Sequence, residues 1–82
     1  MIINTGKPTV KVYSGVIGTI PNYYSWATFM NSGLSAGTID FGDGNILPLG
    51  AGEAITLPMA GKMYEQTIID ASATTIKVVY QN

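Results

Sequence analysis

With 82 residues and a net charge of −1 at neutral pH, the chain is long enough for one domain and carries little charge of either sign. Its basic residues are four lysines without an arginine, so it lacks the clustered positive charge that binding to nucleic acid requires. Histidine and cysteine are also absent, which removes the commonest general base, thiolate chemistry and the usual zinc ligands. We therefore expect no enzyme, no metal, no cofactor and no nucleic acid partner.

A membrane-spanning segment is not expected either. The chain carries no charge from Val12 to Ile39, but Pro21, Asn22 and several glycines interrupt this run. It therefore never offers the roughly 20 continuous apolar residues that a spanning helix needs. The apolar start Met1–Ile3 is too short for the core of a signal peptide.

The low content of charge bears on how the surface is covered. Charged residues make up 11% of the chain, against about 25% in typical soluble domains. Two interpretations stay open: partners cover an apolar surface, which favours assembly, or the surface is neutral and rich in serine and threonine.

The N-terminal segment is apolar at Met1–Ile3 and rich in turn residues at Asn4–Pro8. It either completes the sheet of its own domain or reaches, as an arm over residues 1–8, onto a neighbouring subunit. Alternation then predicts a half-buried strand over Thr9–Val16. One face of this strand carries three valines and the other a lysine and a tyrosine, namely Val10, Val12 and Val16, and Lys11 and Tyr13.

The segment Tyr23–Met30, with the sequence YYSWATFM, is rich in aromatic residues. It can be interpreted as a strand or as one short helix, and its composition favours the strand. Its aromatic side chains either belong to the core or contact a partner. The candidate partner-binding residues of the chain are four aromatic residues and the N-terminal segment, namely Trp26, Tyr23, Tyr24, Phe29, Met1, Ile2 and Ile3.

A β-hairpin is predicted in the middle of the chain. Thr38–Phe41 alternates, Gly42–Asn45 supplies residues that tolerate the positive φ of a tight turn, and Ile46–Leu49 returns antiparallel. Pro48 predicts that the returning strand lies on a sheet edge or contains a bulge there, and not that it is a central strand. A second glycine-rich break leads to Ala54–Leu57, so the middle of the chain is predicted to be an antiparallel meander.

At the C-terminal end, Tyr64–Asp70 and Thr75–Tyr80 are predicted to form two strands of a hairpin, joined by Ala71–Thr74. The fold class is therefore all-β, and residues 1–82 are expected to form one small antiparallel sandwich or open barrel of six to eight short strands.

Two carboxylates lie three positions apart in the central turn. Asp40 and Asp43, with Asn45, offer oxygen ligands for calcium, but the spacing lacks the aspartate ladder and the closing glutamate of an EF-hand loop. We interpret Asp43 as a turn residue and Asp40 as a solvated strand end.

Two resemblances to known families suggest a function. Asp40 to Gly44, with the sequence DFGDG, resembles the signature of PKD-type Ig-like domains, although the His-x-Tyr and Gly-x-Tyr-x-Val segments of that family are absent. This resemblance implies a module that binds a carbohydrate or a protein, here through the aromatic cluster.

The second resemblance covers Ile46 to Tyr80. The run LPLGAGEAITLP, followed by Tyr64, TIIDAS and IKVVY, resembles the layout of small β-sandwich virion proteins of tailed bacteriophages. It implies a non-enzymatic structural protein, either a capsid decoration or cement protein or a head–tail accessory subunit. Such a protein is synthesised in the host cytoplasm, located in the virion, and assembles with copies of itself or with a larger shell protein.

Overall fold

The computed structural model describes residues 6–82. Within this range the chain forms six strands: β1 (Thr9–Ile20), β2 (Trp26–Asn31), β3 (Gly37–Asp40), β4 (Ile46–Leu49), β5 (Ala54–Leu57) and β6 (Thr67–Gln81). All six belong to one antiparallel sheet that curls into a half-barrel. The prediction of a small all-β antiparallel domain is confirmed. Because the sheet is single, the open barrel describes it better than the two-sheet sandwich.

Strand β6 is the centre of the sheet. It pairs with β1 along one edge, from Thr9 opposite Tyr80 to Ile20 opposite Thr67. Its other edge pairs with β3 near its start and with β2 near its end. Strand β4 lies beyond β3, and β5 lies beyond β2. The sheet therefore has a β3–β4 half and a β2–β5 half, which share the two long strands.

The predicted C-terminal hairpin is wrong, because residues 67–81 form one continuous strand of 15 residues. Ala71–Thr74 contains no Gly, Pro or Asn to reverse the chain. It forms instead an irregular stretch opposite Gly15, whose φ is 68°. Burial changes phase there, with Ala71 buried before it and Thr74 buried after it. The break in the alternation of the sequence is therefore a change of face and not a chain reversal.

Strand β1 is longer than predicted and continues to Ile20. Residues that pair directly across a sheet share a face, so Tyr13 lies on the inner face with Ile76, its partner in β6. Tyr13 and Ile20 are buried, whereas Val10 and Val12 are 66% and 58% exposed on the outer face. Strand β1 thus buries its tyrosine face.

The central hairpin is confirmed, with β3 and β4 paired from Gly37 opposite Leu49 to Asp40 opposite Ile46. Its turn has positive φ at Gly42, Asp43 and Gly44, as the composition predicted. Strand β4 is an edge strand, so the edge position of Pro48 is also confirmed.

The predicted meander is wrong for β5. This strand leaves the hairpin and pairs with β2, from Ala27 opposite Leu57 to Met30 opposite Ala54. Two backbone hydrogen bonds at the crossing hold it there: Gly52 N–H donates to the Asn31 carbonyl at 2.9 Å, and Asn31 N–H donates to the Glu53 carbonyl at 2.9 Å. The pairing is long-range, so alternation and local turn residues do not specify it.

The side chain of Asn31 links both halves of the sheet. Its amide nitrogen donates to the carbonyls of Ser35 at 2.8 Å and Leu49 at 2.9 Å. Its amide oxygen accepts the Gly33 N–H at 3.0 Å and the Thr74 hydroxyl at 2.7 Å. Asn31 is fully buried, and these four bonds satisfy its whole capacity.

The core lies between the inner faces of the two halves. Phe29 packs edge-on against Phe41 at a centroid distance of 6.3 Å, which joins β2 to the end of β3. Tyr24 stacks on Tyr64 at 5.3 Å and lies edge-on to Tyr80 at 6.0 Å. The described residues form no helix long and apolar enough to cross a membrane.

Candidate contact surface

The outer face of the sheet is the most unusual surface of the molecule. In the β2–β5 half, the outer patch consists of five apolar side chains, Val10, Val12, Trp26, Met30 and Val79. The pairing places them in rows across the strands: Val10 lies opposite Val79, and Val79 lies opposite Thr28. Val12 and Met30 lie on either side of Lys77 in the next row. Since paired side chains lie about 5 Å apart, the patch is contiguous.

The outer face continues over the β3–β4 half with a different charge. Ile17, Ile46 and Ile68 are exposed there, and Ile17 lies opposite Asp70 in β6. Ile68 lies opposite Asp40 in β3. The outer face therefore carries Lys77 in one half and two aspartates in the other, with apolar side chains between them.

The predicted contact residues separate into three groups. Trp26 lies in the outer patch, half-buried, and its indole N–H donates to the Gln81 side-chain oxygen at 3.3 Å. Tyr23 is 61% exposed, just before β2, with a φ of 69°. Met1, Ile2 and Ile3 lie outside the described residues.

Tyr24 and Phe29 form the third group, and both are fully buried. The prediction that they contact a partner is corrected, because they are core residues of this fold. Phe29 lies on the inner face of β2 with Ala27, while the alternate residues of β2 face outward. Tyr24 pairs with Tyr64 in an isolated antiparallel bridge outside the six strands. The strand interpretation of this segment is confirmed from Trp26 onward.

Sequence reasoning missed the part of the surface that β1 supplies. The alternation correctly separates Val10 and Val12 from Tyr13, but the prediction is wrong for Val16, which pairs with the buried Ala71 on the inner face because β1 changes face at Gly15. Which of the two faces is buried depends on the pairing of β1 with β6, a contact between opposite ends of the chain. The exposed Ile17 lies beyond the predicted end of the strand, so no local pattern assigned it to a face.

A cavity of about 480 Å³ lies against the segment that connects β5 to β6. Its lining includes Phe41, Leu57, Met63 and Tyr64. The Tyr24 hydroxyl, also at the cavity, shares a 2.7 Å hydrogen bond with the Thr67 hydroxyl, and burial raises the pKa of Tyr24. The Tyr64 hydroxyl donates to the Pro58 carbonyl. Because both hydroxyls are occupied within the chain, the cavity offers mainly apolar contact.

The acidic residues of the described chain are spread over turns, loops and strands. Asp43 is exposed in the β3–β4 turn, which confirms that it is a turn residue, and the Asp40 side chain accepts the Gly42 N–H at 2.8 Å. Asp70 accepts the N–H and the hydroxyl of Ser72 at 3.1 and 2.7 Å, and these bonds lower the pKa of Asp70. Residues 6–82 contain no group of three acidic side chains close enough to hold a metal ion.

Comparison with models of known protein families, with curated proteins and with solved structures finds no match.

Proposed function

We propose that the protein is a structural protein of a tailed-bacteriophage virion, a capsid decoration or cement protein or a head–tail accessory subunit. It acts by protein–protein assembly and not by catalysis. The observation that carries this proposal is the apolar outer face of the sheet, with Val10, Val12 and Ile17 exposed along a single strand.

An exposed surface of this kind favours association. Isolated soluble proteins rarely leave contiguous apolar side chains open to water, because each square ångström that a partner covers contributes about 25 cal/mol. Trp26 is the largest member of the outer patch, and tryptophan is enriched among residues that dominate binding energy. The single charge of the patch, Lys77, lies on a flexible stem that can move aside from an apolar contact.

The assignment to a virion is supported by the resemblance over Ile46 to Tyr80. In the fold, this stretch supplies β4, the crossing turn, β5 and β6, which is the strand around which the sheet is built. The resemblance therefore lies in the structural frame of the chain and not in one exposed loop.

The proposal is tested on purified particles of a tailed phage whose genome encodes this chain. Mass spectrometry of washed particles is expected to detect this chain in fixed proportion to the major shell protein. Its absence from particles, with the chain found free in the lysate, would contradict a virion role.

The part played by the outer patch is tested by rebinding to particles that lack this chain. Trp26→Ala is expected to weaken rebinding by about tenfold or more, the loss of about 1.4 kcal/mol that one interface tryptophan commonly supplies. The matched control is Leu34→Ala, which removes an apolar side chain that is 98% exposed in the loop between β2 and β3. Equal rebinding by both folded variants would remove Trp26 from the contact.

A second candidate function is an Ig-like binding module, which the mainly apolar cavity beside the β5–β6 connection favours. Phe41 and Tyr64 contribute partly exposed aromatic rings to its lining. Tyr64→Ala would then abolish binding to a carbohydrate array or a peptide library, while Trp26→Ala would leave it unchanged. The reverse pattern would exclude the binding module.

A further inference from the structure

The second edge of β1 has no strand partner among residues 6–82. Strand β1 is 12 residues long, and alternate residues along it direct their N–H and C=O groups towards that edge. Two other edges of the described sheet are open, on β4 and β5, and each is four residues long. Strand β4 also contains Pro48, which has no N–H to donate.

We propose that β1 pairs with β1 of a second copy, antiparallel and across a two-fold axis, so that two six-stranded sheets become one continuous sheet. This pairing rests on the proposed assembly role. It specifies that role by naming the partner, a second copy of the chain, and the contacting strand, β1. Within this sheet, only another β1 matches the length of the open edge. A closed two-fold pair also leaves only the short β4 and β5 edges at its ends, which limits further growth.

One register of this pairing uses the whole strand and matches its faces. It places Thr9 opposite Ile20 and Val12 opposite Ile17 of the second copy. The alternation of β1 between its two faces shifts by one residue at Gly15, where its pairing with β6 is irregular. Even-numbered residues face outward before Gly15, and odd-numbered residues face outward after it. In this register Ser14 lies opposite Gly15, at the two-fold axis, so each outer-face residue meets an outer-face residue along the strand. The shift in alternation at Gly15 therefore occurs at the same place in both copies, so the faces of the two β1 strands match on both sides of the two-fold axis.

The charges fit the same register. Lys11, the charged residue of β1, lies opposite Gly18, which separates the two copies of Lys11 by about 23 Å along the strands. On the outer face, one row runs from Lys77 through Val12 to Ile17 and Asp70 of the second copy, since Val12 pairs with Lys77 and Ile17 with Asp70. The seam is therefore apolar, and opposite charges lie on its two sides about 14 Å apart.

Charge variants at the Val12–Ile17 pair test both the pairing and its register. Val12→Glu lies opposite Lys77 within the chain, and Ile17→Lys lies opposite Asp70, so each single variant is compatible with its own sheet. Each places a charge against an apolar side chain of the second copy. Sedimentation across a concentration series is expected to show a concentration-dependent dimer for the wild type and about tenfold weaker dimers for each single variant.

The double variant V12E/I17K places the introduced carboxylate of each copy opposite the introduced ammonium group of the other. This pair of opposite charges forms twice across the two-fold axis, and we expect it to recover most of the lost affinity. Within one chain these two positions are five residues apart on one strand, too far to pair with each other. The matched control is Leu34→Glu, which adds the same charge far from the edge and is expected to dimerise as the wild type does. Circular dichroism confirms that each variant is folded.

A cross-link provides a readout that does not depend on affinity, because the chain has no cysteine of its own. In the proposed register the Cα atoms of residues 12 and 17 lie about 5 Å apart, within the range that a disulfide spans. The variant V12C/I17C is therefore expected to form a covalent dimer on mild oxidation, whereas V12C/L34C is not.

The outcomes separate this pairing from the assembly role itself. A wild type that remains monomeric at all concentrations, with no cross-link in V12C/I17C, would overturn the β1 pair and leave the detection of the chain in virions to decide its function. A wild-type oligomer unaffected by V12E and I17K would also overturn it, in favour of a different contact between copies. Absence of the chain from virions alongside a confirmed β1 pair would overturn only the virion assignment.

Discussion

Strands β1 and β6 have similar sequence patterns, with apolar residues at alternate positions, but they differ in how many neighbouring strands they have and in which apolar residues are buried. Strand β6 has neighbours on both edges, and Ile69, Ile76 and Val78 are fully buried. Strand β1 has a described neighbour on one edge only, and its Val10 and Val12 face outward. The comparison shows that position in the sheet, and not the alternation itself, decides whether an apolar residue supports the core or the surface.

The largest effect is expected from Ile76→Ala in β6. The side chain is fully buried in the core, so its loss removes apolar contacts and leaves a cavity that costs about 2–5 kcal/mol. Urea denaturation measures the change. The matched variant Val12→Ala in β1 removes a side chain that is exposed in the single chain, and at a protein concentration too low for dimers it is expected to change the free energy of unfolding by less than about 0.5 kcal/mol. Equal losses at this dilution would show that the outer face of β1 is covered even in the single chain.

The next effect concerns Thr74, at the point where β6 changes face. Its hydroxyl donates to the buried Asn31 side chain at 2.7 Å. Thr74→Val keeps the shape of the side chain but removes this donor, and we expect a loss of about 1–1.5 kcal/mol in urea denaturation. The neighbouring Thr75 hydroxyl bonds only the exposed Ser14 hydroxyl, at 2.8 Å. Thr75→Val should therefore cost clearly less, and the opposite order would show that the Asn31 contact does not stabilise the fold.

A smaller effect is expected at Gly15, where β1 changes face. Its φ of 68° is costly for a residue with a Cβ, although no other atom lies within 4 Å of where that Cβ would be. Gly15→Ala should therefore cost about 1 kcal/mol through the backbone alone. Gly15→Asn should cost less, because asparagine tolerates this conformation better. Similar losses for the two variants would point to a contact rather than to backbone strain.

The changes of face at Gly15 in β1 and near Thr74 in β6 also explain which parts of the fold could be predicted from the sequence. The β3–β4 hairpin could be predicted because Gly42, Asp43 and Gly44 favour the conformations that its turn requires. The all-β class could be predicted from alternation. The continuity of β6 could not, because a phase change at Ala71–Thr74 and a chain reversal leave the same break in a pattern of period two.

The candidate contact surface could be predicted only in part, for a related reason. Trp26 is half-buried and Tyr23 is exposed, so their contact with a partner stays a prediction, whereas the neighbouring Tyr24 and Phe29 lie in the core. Which of these four aromatic side chains are buried depends on where β2 begins and on the bridge between Tyr24 and Tyr64. This bridge joins positions 40 residues apart, so the local sequence does not specify it. Aromatic composition predicts that contacts exist and does not state which side of the strand makes them.

The smallest effect concerns Asp70, which lies on the outer face opposite Ile17. Its pKa is lowered by the Ser72 hydroxyl and then by the Ser72 N–H, so the folded state favours the carboxylate. A folded pKa below the unfolded value adds stability that is fully present above the unfolded pKa and is lost as the pH falls through the folded pKa. The wild type should therefore lose slightly more stability than Asp70→Asn between neutral pH and strongly acidic pH. Parallel pH profiles of unfolding for the two proteins would show that the Ser72 bonds do not persist in solution.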